Sequence, residues 1–197
     1  LSSVNTYNAY NPFGGKSLYG FNSSSNTPAR RISFNRPFQD GGTGQYKKWE
    51  ATFVTWAERA GYTMAYAATS DIEFVPDLLN NYSVVILAGH SEYWTWTMRD
   101  RLKTFIANGG RLINLSGNTM WWQIRYEAGG RTMVGYKNYL ADPTTSAQEE
   151  TVNTWDYPIY DAENFITGAQ FLRGGLAGLG GLTYANGYGG YALHKVD

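Results

Sequence analysis

The chain has 197 residues, enough to bury a hydrophobic core, and it contains no cysteine. This excludes disulfides, thiolate metal sites and a cysteine nucleophile. Sixteen Lys and Arg residues balance sixteen Asp and Glu residues, so the chain lacks the basic excess of a nucleic-acid binder. No run of about 18 apolar residues occurs. We therefore expect neither nucleic acid nor a membrane as a partner.

The first 45 residues are rich in Asn, Ser, Gly and Tyr and are predicted to form loops, with one short strand at residues 32–34. Residues 46–60 are predicted to form a helix, because apolar residues such as Trp49 and Trp56 recur along one face.

The middle of the chain alternates predicted strands and helices. Strands are predicted at residues 62–67, 83–88 and 111–116, and helices at residues 76–81 and 95–108. The run 83–88 is continuously apolar, which is typical of parallel strands buried on both faces. The alternation predicts an α/β domain with a mostly parallel sheet and helices on both faces.

An added β-hairpin is predicted next, because residues 121–126 and 132–137 flank a Gly-containing turn. The pattern then fades, and residues 172–191 are dominated by Gly and Tyr. We expect one α/β domain, a fragment of a longer chain that continues beyond both ends. Its parts are a loop-rich, site-forming segment (1–45), a βαβ core (46–118), the hairpin (119–137) and an irregular part (138–197).

Polar residues follow two of the predicted strands. His90 and Glu92 come after the strand at 83–88, and Asn118 comes after the strand at 111–116. One right-handed crossover joins these strands, so we expect them to be neighbours. Ligands of open α/β sheets bind at the carboxyl ends of the strands. His90, Glu92 and Asn118 are therefore expected to approach one another.

Each of these residues has more than one interpretation. His90 suits a general acid or base, or a structural histidine that bonds a loop carbonyl. Glu92 suits a metal ligand or proton acceptor, or a cap or salt-bridge partner for the helix that begins near residue 95. Ser91 is a poor hydrolase nucleophile, because Tyr93 stands where the nucleophile elbow requires glycine.

Several short strings occur in a fixed order along residues 5–171. They are residues 9–11, 14–19, 32–37, 49–50, 61–62, 89–94 (GHSEYW), 116–119 and 131–137. Together they resemble the C-terminal domain of the N,N-dimethylformamidase large (beta) subunit. The resemblance implies a fold similar to class I glutamine amidotransferases, a flavodoxin-like three-layer α/β domain.

The resemblance also implies a site: one iron, most simply ferric, held by two tyrosines and one glutamate. By motif position, Glu92 corresponds to the glutamate and Tyr10 to one tyrosine, with Tyr7 as the second choice. The other tyrosine corresponds to a position upstream of this sequence. His90 corresponds to a histidine beside the metal, and Asn118 to a polar residue of the pocket. Phenolate and carboxylate oxygens suit a hard cation of this kind.

The leading hypothesis is therefore iron-dependent hydrolysis of the C–N bond of a small amide. The expected partners are that amide, further domains of the same chain and other subunits. Two alternatives stay open. One is a non-catalytic module of a secreted protein that binds carbohydrate or a partner through exposed Tyr and Trp. The other is a metal-independent hydrolase that uses His90 and Ser91.

Overall fold

The computed structural model describes residues 15–20, 23–36, 39–43, 46–154 and 156–168. Its strands are β1 (Arg31–Ser33), β2 (Val84–His90), β3 (Tyr93–Trp94), β4 (Arg111–Gly117), β5 (Trp122–Gln123), β6 (Arg125–Glu127) and β7 (Thr132–Val134). Its α-helices are α1 (Ala51–Arg59), α2 (Asp71–Phe74), α3 (Trp96–Ala107) and α4 (Asn164–Thr167). A π-helical turn (Tyr46–Glu50) leads into α1, and 3₁₀ helices span Ser24–Asn26, Gln39–Gly42, Leu78–Asn81 and Tyr139–Ala141.

The parallel pair β2–β4 confirms the predicted βαβ unit. Its register runs from Val84 opposite Arg111 to His90 opposite Gly117. The connecting helix α3 begins where the periodicity predicted, because the Thr95 side chain accepts a hydrogen bond from the Met98 amide at 3.1 Å. The carboxyl ends of both strands thus lie at one edge of the sheet.

One hydrophobic cluster packs α3 against this pair. Met98 and Leu102 of α3 are fully buried and share the cluster with Leu87 of β2. Trp94 and Met120, which follow the two strands, are fully buried in the same cluster. The hydrophobic core therefore extends to the carboxyl edge of the sheet, where it holds the loops that follow β2 and β4.

The expectation that these strands are buried on both faces is wrong for the described residues. Ile113 and Leu115 of β4 are 43% and 51% exposed, and they alternate with the partly buried Leu112 and Asn114. Helix α3 covers the face that carries Leu112, so the period of two leaves Ile113 and Leu115 on the other face.

Two further elements differ from the prediction. Residues 62–67 form no strand, because no strand of the described chain lies beside them, and Tyr62 and Tyr66 stay largely exposed. The helix expected at 76–81 is confined to the 3₁₀ turn Leu78–Asn81, and α2 precedes it.

A three-stranded antiparallel sheet, in the order β1–β7–β6, forms beside the parallel pair. β6 and β7 form the predicted hairpin over a shorter stretch, with Arg125 opposite Val134. Residues 122–123 of the predicted strand 121–126 pair with β3 instead. β1 completes the sheet, with Ile32 opposite Met133. A two-stranded parallel pair, β3–β5, joins the ends of the two regions.

These contacts give a mixed α/β arrangement of small parallel and antiparallel sheets. The flavodoxin-like assignment stays a prediction. Residues 169–197, which include the Gly-rich stretch 172–191, lie outside the described residues. No described helix combines the length and apolar character needed to cross a membrane.

A buried carboxylate ties the hairpin to the segment that follows it. Asp142 accepts hydrogen bonds from Arg125 Nη1 at 2.7 Å and from the Thr151 hydroxyl and amide at 2.8 and 3.1 Å. The Thr151 hydroxyl also accepts from the Tyr136 amide at 2.6 Å. Burial opposes ionisation of Asp142, but the hydrogen bonds from Arg125 and Thr151 hold its pKa below the ordinary value.

We expect Asp142→Asn to lower the free energy of unfolding by about 3 kcal/mol, because Arg125 and Thr151 lose a buried charged partner. A depressed pKa in the folded state stabilises the protein at pH values above the pKa of the unfolded state, about 3.9. This contribution is lost as the pH falls through the pKa of the folded state. Urea unfolding between pH 7 and pH 3 should therefore show a shallower acid decline in the variant.

The matched control for Asp142 is Glu58→Gln, which weakens the exposed pair between Glu58 and Tyr66. Exposed pairs contribute little to the free energy of unfolding. Equal losses of unfolding free energy in the two variants would contradict the conclusion that the buried Asp142 contacts stabilise the fold more than an exposed pair does.

Candidate functional site

Backbone hydrogen bonds connect the loops that follow β2 and β4. The Ser91 amide donates to the Gly117 carbonyl at 3.2 Å, and the Met120 amide donates to the Ser91 carbonyl at 2.8 Å. The Trp122 amide then donates to the Glu92 carbonyl at 2.9 Å. The strand ends, which were predicted to be neighbours, therefore present residues 90–93 and 117–122 on one surface.

Glu92 is the buried acid of this surface, with only 3% of the residue exposed. Tyr19 Oη donates a hydrogen bond to Glu92 Oε1, and Trp122 Nε1 donates to Tyr19 Oη at 3.0 Å. The alternative of a helix cap does not hold for Glu92, because Thr95 caps α3. A carboxylate buried to this degree requires such polar partners.

Tyr19 reaches Glu92 because serine side chains fold its segment into a compact turn. Ser23 Oγ donates to the Tyr19 carbonyl at 2.6 Å and accepts from the Ser17 amide at 2.8 Å. The Ala29 amide donates to the Ser17 carbonyl at 2.7 Å. Leu18, between these polar residues, is buried in the second hydrophobic cluster. The turn is thus fixed on both sides.

A lysine completes the site from the other end of the hairpin. Lys137 Nζ lies 2.9 Å from the ring centroid of Tyr19, 4.9 Å from that of Trp122 and 5.4 Å from that of Tyr93. It also donates to Tyr93 Oη at 3.4 Å. Aromatic faces attract a cation but replace its water only in part.

Burial dominates the electrostatics of these groups. It lowers the pKa of Lys137 to about 7, against the opposing effect of Glu92. Burial, with Glu92 adding to it, raises the pKa of Tyr19 and of Tyr93 above the ordinary tyrosine value. Both phenols are therefore neutral at pH 7 in the absence of a nearby strong cation.

His90 lies beside Glu92, with 3.7 Å between Nδ1 and Oε2. Burial lowers the pKa of His90, and Glu92 partly opposes this. Its buried Nδ1 has no hydrogen-bond partner within the described part of the chain, so it is not the carbonyl-bonded histidine of the structural alternative.

Asn118 follows Gly117, the residue paired with His90, in the left-handed region at φ 50°. Its half-buried side chain makes no hydrogen bond to a described residue. The structure thus joins His90 and Glu92 by side-chain proximity, whereas Asn118 is brought near them through the backbone. Tyr10 and Tyr7 lie outside the described residues.

Ser91 is buried and hydrogen-bonds within the loop rather than to His90. Trp94 Nε1 donates to the Ser91 hydroxyl at 2.9 Å and to its carbonyl at 3.0 Å. This arrangement gives Ser91 a structural role and does not favour a serine hydrolase.

Sequence reasoning missed three members of the site as functional residues: Tyr19, Tyr93 and Lys137. Tyr19 and Lys137 are the last residues of two of the strings quoted above, 14–19 and 131–137. Their position at the ends of these strings was a usable signal. Their approach to Glu92 was not, because it depends on contacts more than 40 residues apart in sequence.

The donor chemistry of the cluster fits a hard cation. Among the described residues, no three His, Cys, Asp or Glu side chains are grouped so as to hold a metal ion. The available donors are instead the Glu92 carboxylate and the phenols of Tyr19 and Tyr93. Phenols with raised pKa values ionise only beside a strong positive charge, and ferric iron prefers such oxygen donors.

These features define a class: a mixed α/β domain with a buried carboxylate–phenol–lysine cluster at the carboxyl ends of its parallel strands. The family model "N,N-dimethylformamidase beta subunit-like, C-terminal" matches residues 1–187. The chain belongs to this family.

Two curated relatives match a shorter stretch. The N,N-dimethylformamidase beta subunit of Paracoccus aminophilus is 36% identical over 70 residues. The corresponding subunit of Alcaligenes sp is 33% identical over 70 residues. Each match covers 35% of this chain and 9% of the relative.

We expect Tyr19→Phe to cost about 1–3 kcal/mol of unfolding free energy, because Glu92 and Trp122 each lose a buried hydrogen-bond partner. Tyr62→Phe is the control, since Tyr62 is 61% exposed and should change stability by less than about 0.5 kcal/mol. Urea denaturation measures both. Equal effects would show that the Tyr19 hydroxyl does not support Glu92.

Proposed function

We propose that this chain forms part of the active site of an iron-dependent hydrolase that cleaves the C–N bond of a small amide. The observation that carries the proposal is the buried Glu92 carboxylate, which accepts a hydrogen bond from the Tyr19 phenol where α/β sheets bind ligands. The Tyr19 ring in turn contacts the Lys137 amine. Membership of the dimethylformamidase beta subunit family supports a role related to amide hydrolysis.

Glu92 and a tyrosine would hold the iron. Tyr19 is the phenol in contact with Glu92, and Tyr10 is the phenol that the family resemblance favours. When bound, ferric iron supplies Lewis-acid polarisation of the amide carbonyl and lowers the pKa of bound water.

The other residues would manage protons and orientation. His90 Nδ1, buried and unbonded within the described residues, can accept a proton from water or pass one to the leaving amine. Lys137, with a pKa of about 7, can hold or release a proton at neutral pH. The Asn118 amide would donate a hydrogen bond to the developing oxyanion.

Other chains or domains would complete the enzyme. The two relatives are named as beta subunits, and this chain matches 9% of their length. We therefore propose that the site works in a larger protein and with further subunits.

We expect the full-length protein to contain about one iron per chain and to hydrolyse N,N-dimethylformamide, with formate as a product. Glu92→Gln should abolish iron binding and lower kcat/KM by at least about 10³-fold, because the site loses its buried anionic ligand. Elemental analysis and a formate assay measure these two outcomes.

The matched control for Glu92 is Glu58→Gln, which removes an exposed carboxylate that accepts from Tyr66 Oη at 2.6 Å. Its iron content and activity should equal those of the wild type. Wild-type protein without iron, under conditions that load a known iron enzyme, would contradict the proposal.

A second candidate function, glycan binding, is favoured by a different surface. The rings of Phe53, Trp56 and Tyr62 follow one another at centroid distances of 5.9 and 5.8 Å. Trp56 is 57% exposed and Tyr62 is 61% exposed. Exposed aromatic faces of this kind stack on sugar rings.

If this surface binds sugars, cello- or chito-oligosaccharides should quench tryptophan fluorescence, and Trp56→Ala should weaken binding about tenfold or more. Tyr160→Ala is the control, since Tyr160 is 68% exposed but lies elsewhere in the chain. A titration with no fluorescence change at millimolar sugar would remove this candidate.

A further inference from the structure

The residue before His90 is a glycine in a conformation that other residues adopt rarely. Gly89 has φ 79°, in the left-handed region. A Cβ placed on it would lie 2.8 Å from Glu50 Cγ and 2.9 Å from Glu50 Oε1. Glu50 therefore packs directly on the Gly89 backbone, and only glycine leaves room for it there.

Glu50 comes from a separate element. It is the last residue of the π-helical turn that precedes α1, and its side chain is half-buried. Within the described residues it forms no hydrogen bond or ion pair. Burial raises the pKa of its carboxyl group. Its contact at this point is with the Gly89 backbone.

The contact between Glu50 and Gly89 lies one residue before His90, whose imidazole must be placed accurately for proton transfer. His90 Nδ1 stands 3.7 Å from Glu92 Oε2 and is held by no hydrogen bond of its own to a described residue. The orientation of the imidazole therefore depends on the backbone that carries it. Residues 89 and 90 pair with Ser116 and Gly117 on one side.

We propose that Glu50 is a positioning residue for His90, and that it acts by filling the space behind Gly89. The proposal rests on the proposed amide hydrolase function and adds a residue to that site. Glu50 acts through the Gly89–His90 backbone and contacts neither substrate nor metal. Because a misplacement of about 1 Å in an active site can cost about 10²-fold in rate, a loose Gly89–His90 segment has a measurable effect.

The first test is kinetic and uses the full-length protein. Glu50→Ala should lower kcat for N,N-dimethylformamide by about tenfold or more, with KM within about twofold, because His90 loses its support while substrate contacts remain. Glu50→Gln should retain kcat within about threefold, because it preserves the Cγ and amide-oxygen contacts. Glu58→Ala, in the adjoining helix α1 but exposed, should behave as wild type.

The second test needs no activity. Diethyl pyrocarbonate modifies accessible histidines, and mass spectrometry of peptides gives the rate at His90. Glu50→Ala should change this rate by more than about threefold, while Glu50→Gln and Glu58→Ala stay within about twofold. The rates at other histidines of the protein serve as an internal reference and should not change.

The third test examines the contact itself. Gly89→Ala should lower Tm, and Glu50→Ala in the same chain should restore part of the loss, since it removes the atoms that the new Cβ would meet. The recovery is partial, because alanine keeps an unfavourable φ at this position.

The outcomes separate the two proposals. Wild-type protein that lacks iron and amide hydrolysis overturns the proposed function, and the labelling and stability tests then decide the role of Glu50 alone. Unchanged His90 labelling in Glu50→Ala, or equal Tm losses for Gly89→Ala with and without Glu50, overturns the role of Glu50. In an active enzyme, an unchanged kcat in Glu50→Ala overturns it as well.

Discussion

The architecture around the site depends on the burial of Glu92. A carboxylate removed from water is costly unless donors and a cation replace the lost hydration. Here Tyr19 supplies a hydroxyl donor, and Lys137 supplies a positive charge that is itself destabilised by burial. The 15–20 turn, the end of β2 and the end of the hairpin must all be in place for this balance. The site is therefore a property of the assembled domain.

Local pattern was sufficient to predict the elements next to the site. The continuously apolar run predicted β2, and the helical periodicity that begins at Thr95 predicted α3. A glycine-containing turn between two strand-like segments predicted the β6–β7 hairpin. The crossover rule then placed the ends of β2 and β4 side by side, with His90 opposite Gly117, the residue before Asn118. The prediction failed at residues 62–67, because a strand-like composition forms a strand only when another strand lies beside it. It also missed Lys137, since composition does not report which amine a fold will bury.

The residues of the candidate site come from the neighbourhood of two different sheets. The parallel pair β2–β4 presents His90 and Glu92 at its carboxyl edge. Tyr19, which precedes β1, contacts Glu92, and Lys137, which follows β7, contacts the Tyr19 ring. The short pair β3–β5 connects the two, with Tyr93 opposite Trp122. The carboxylate of Glu92 at this junction therefore has neighbours from different parts of the fold, Tyr19 on one side and His90 on the other. Binding of a cation there would hold these parts together as well as provide chemistry.

The exposed face of β4 and its edge, unpaired among the described strands, affect how the protein is expected to behave in solution. Among the described strands, β4 pairs only with β2, so its other edge offers backbone donors and acceptors next to Ile113 and Leu115. Such an edge readily recruits another strand, whether from the same molecule or from a neighbouring copy. We therefore expect concentrated preparations of the chain alone to self-associate through this edge. Charged substitutions at Ile113 or Leu115 are expected to reduce such association without altering His90 or Glu92.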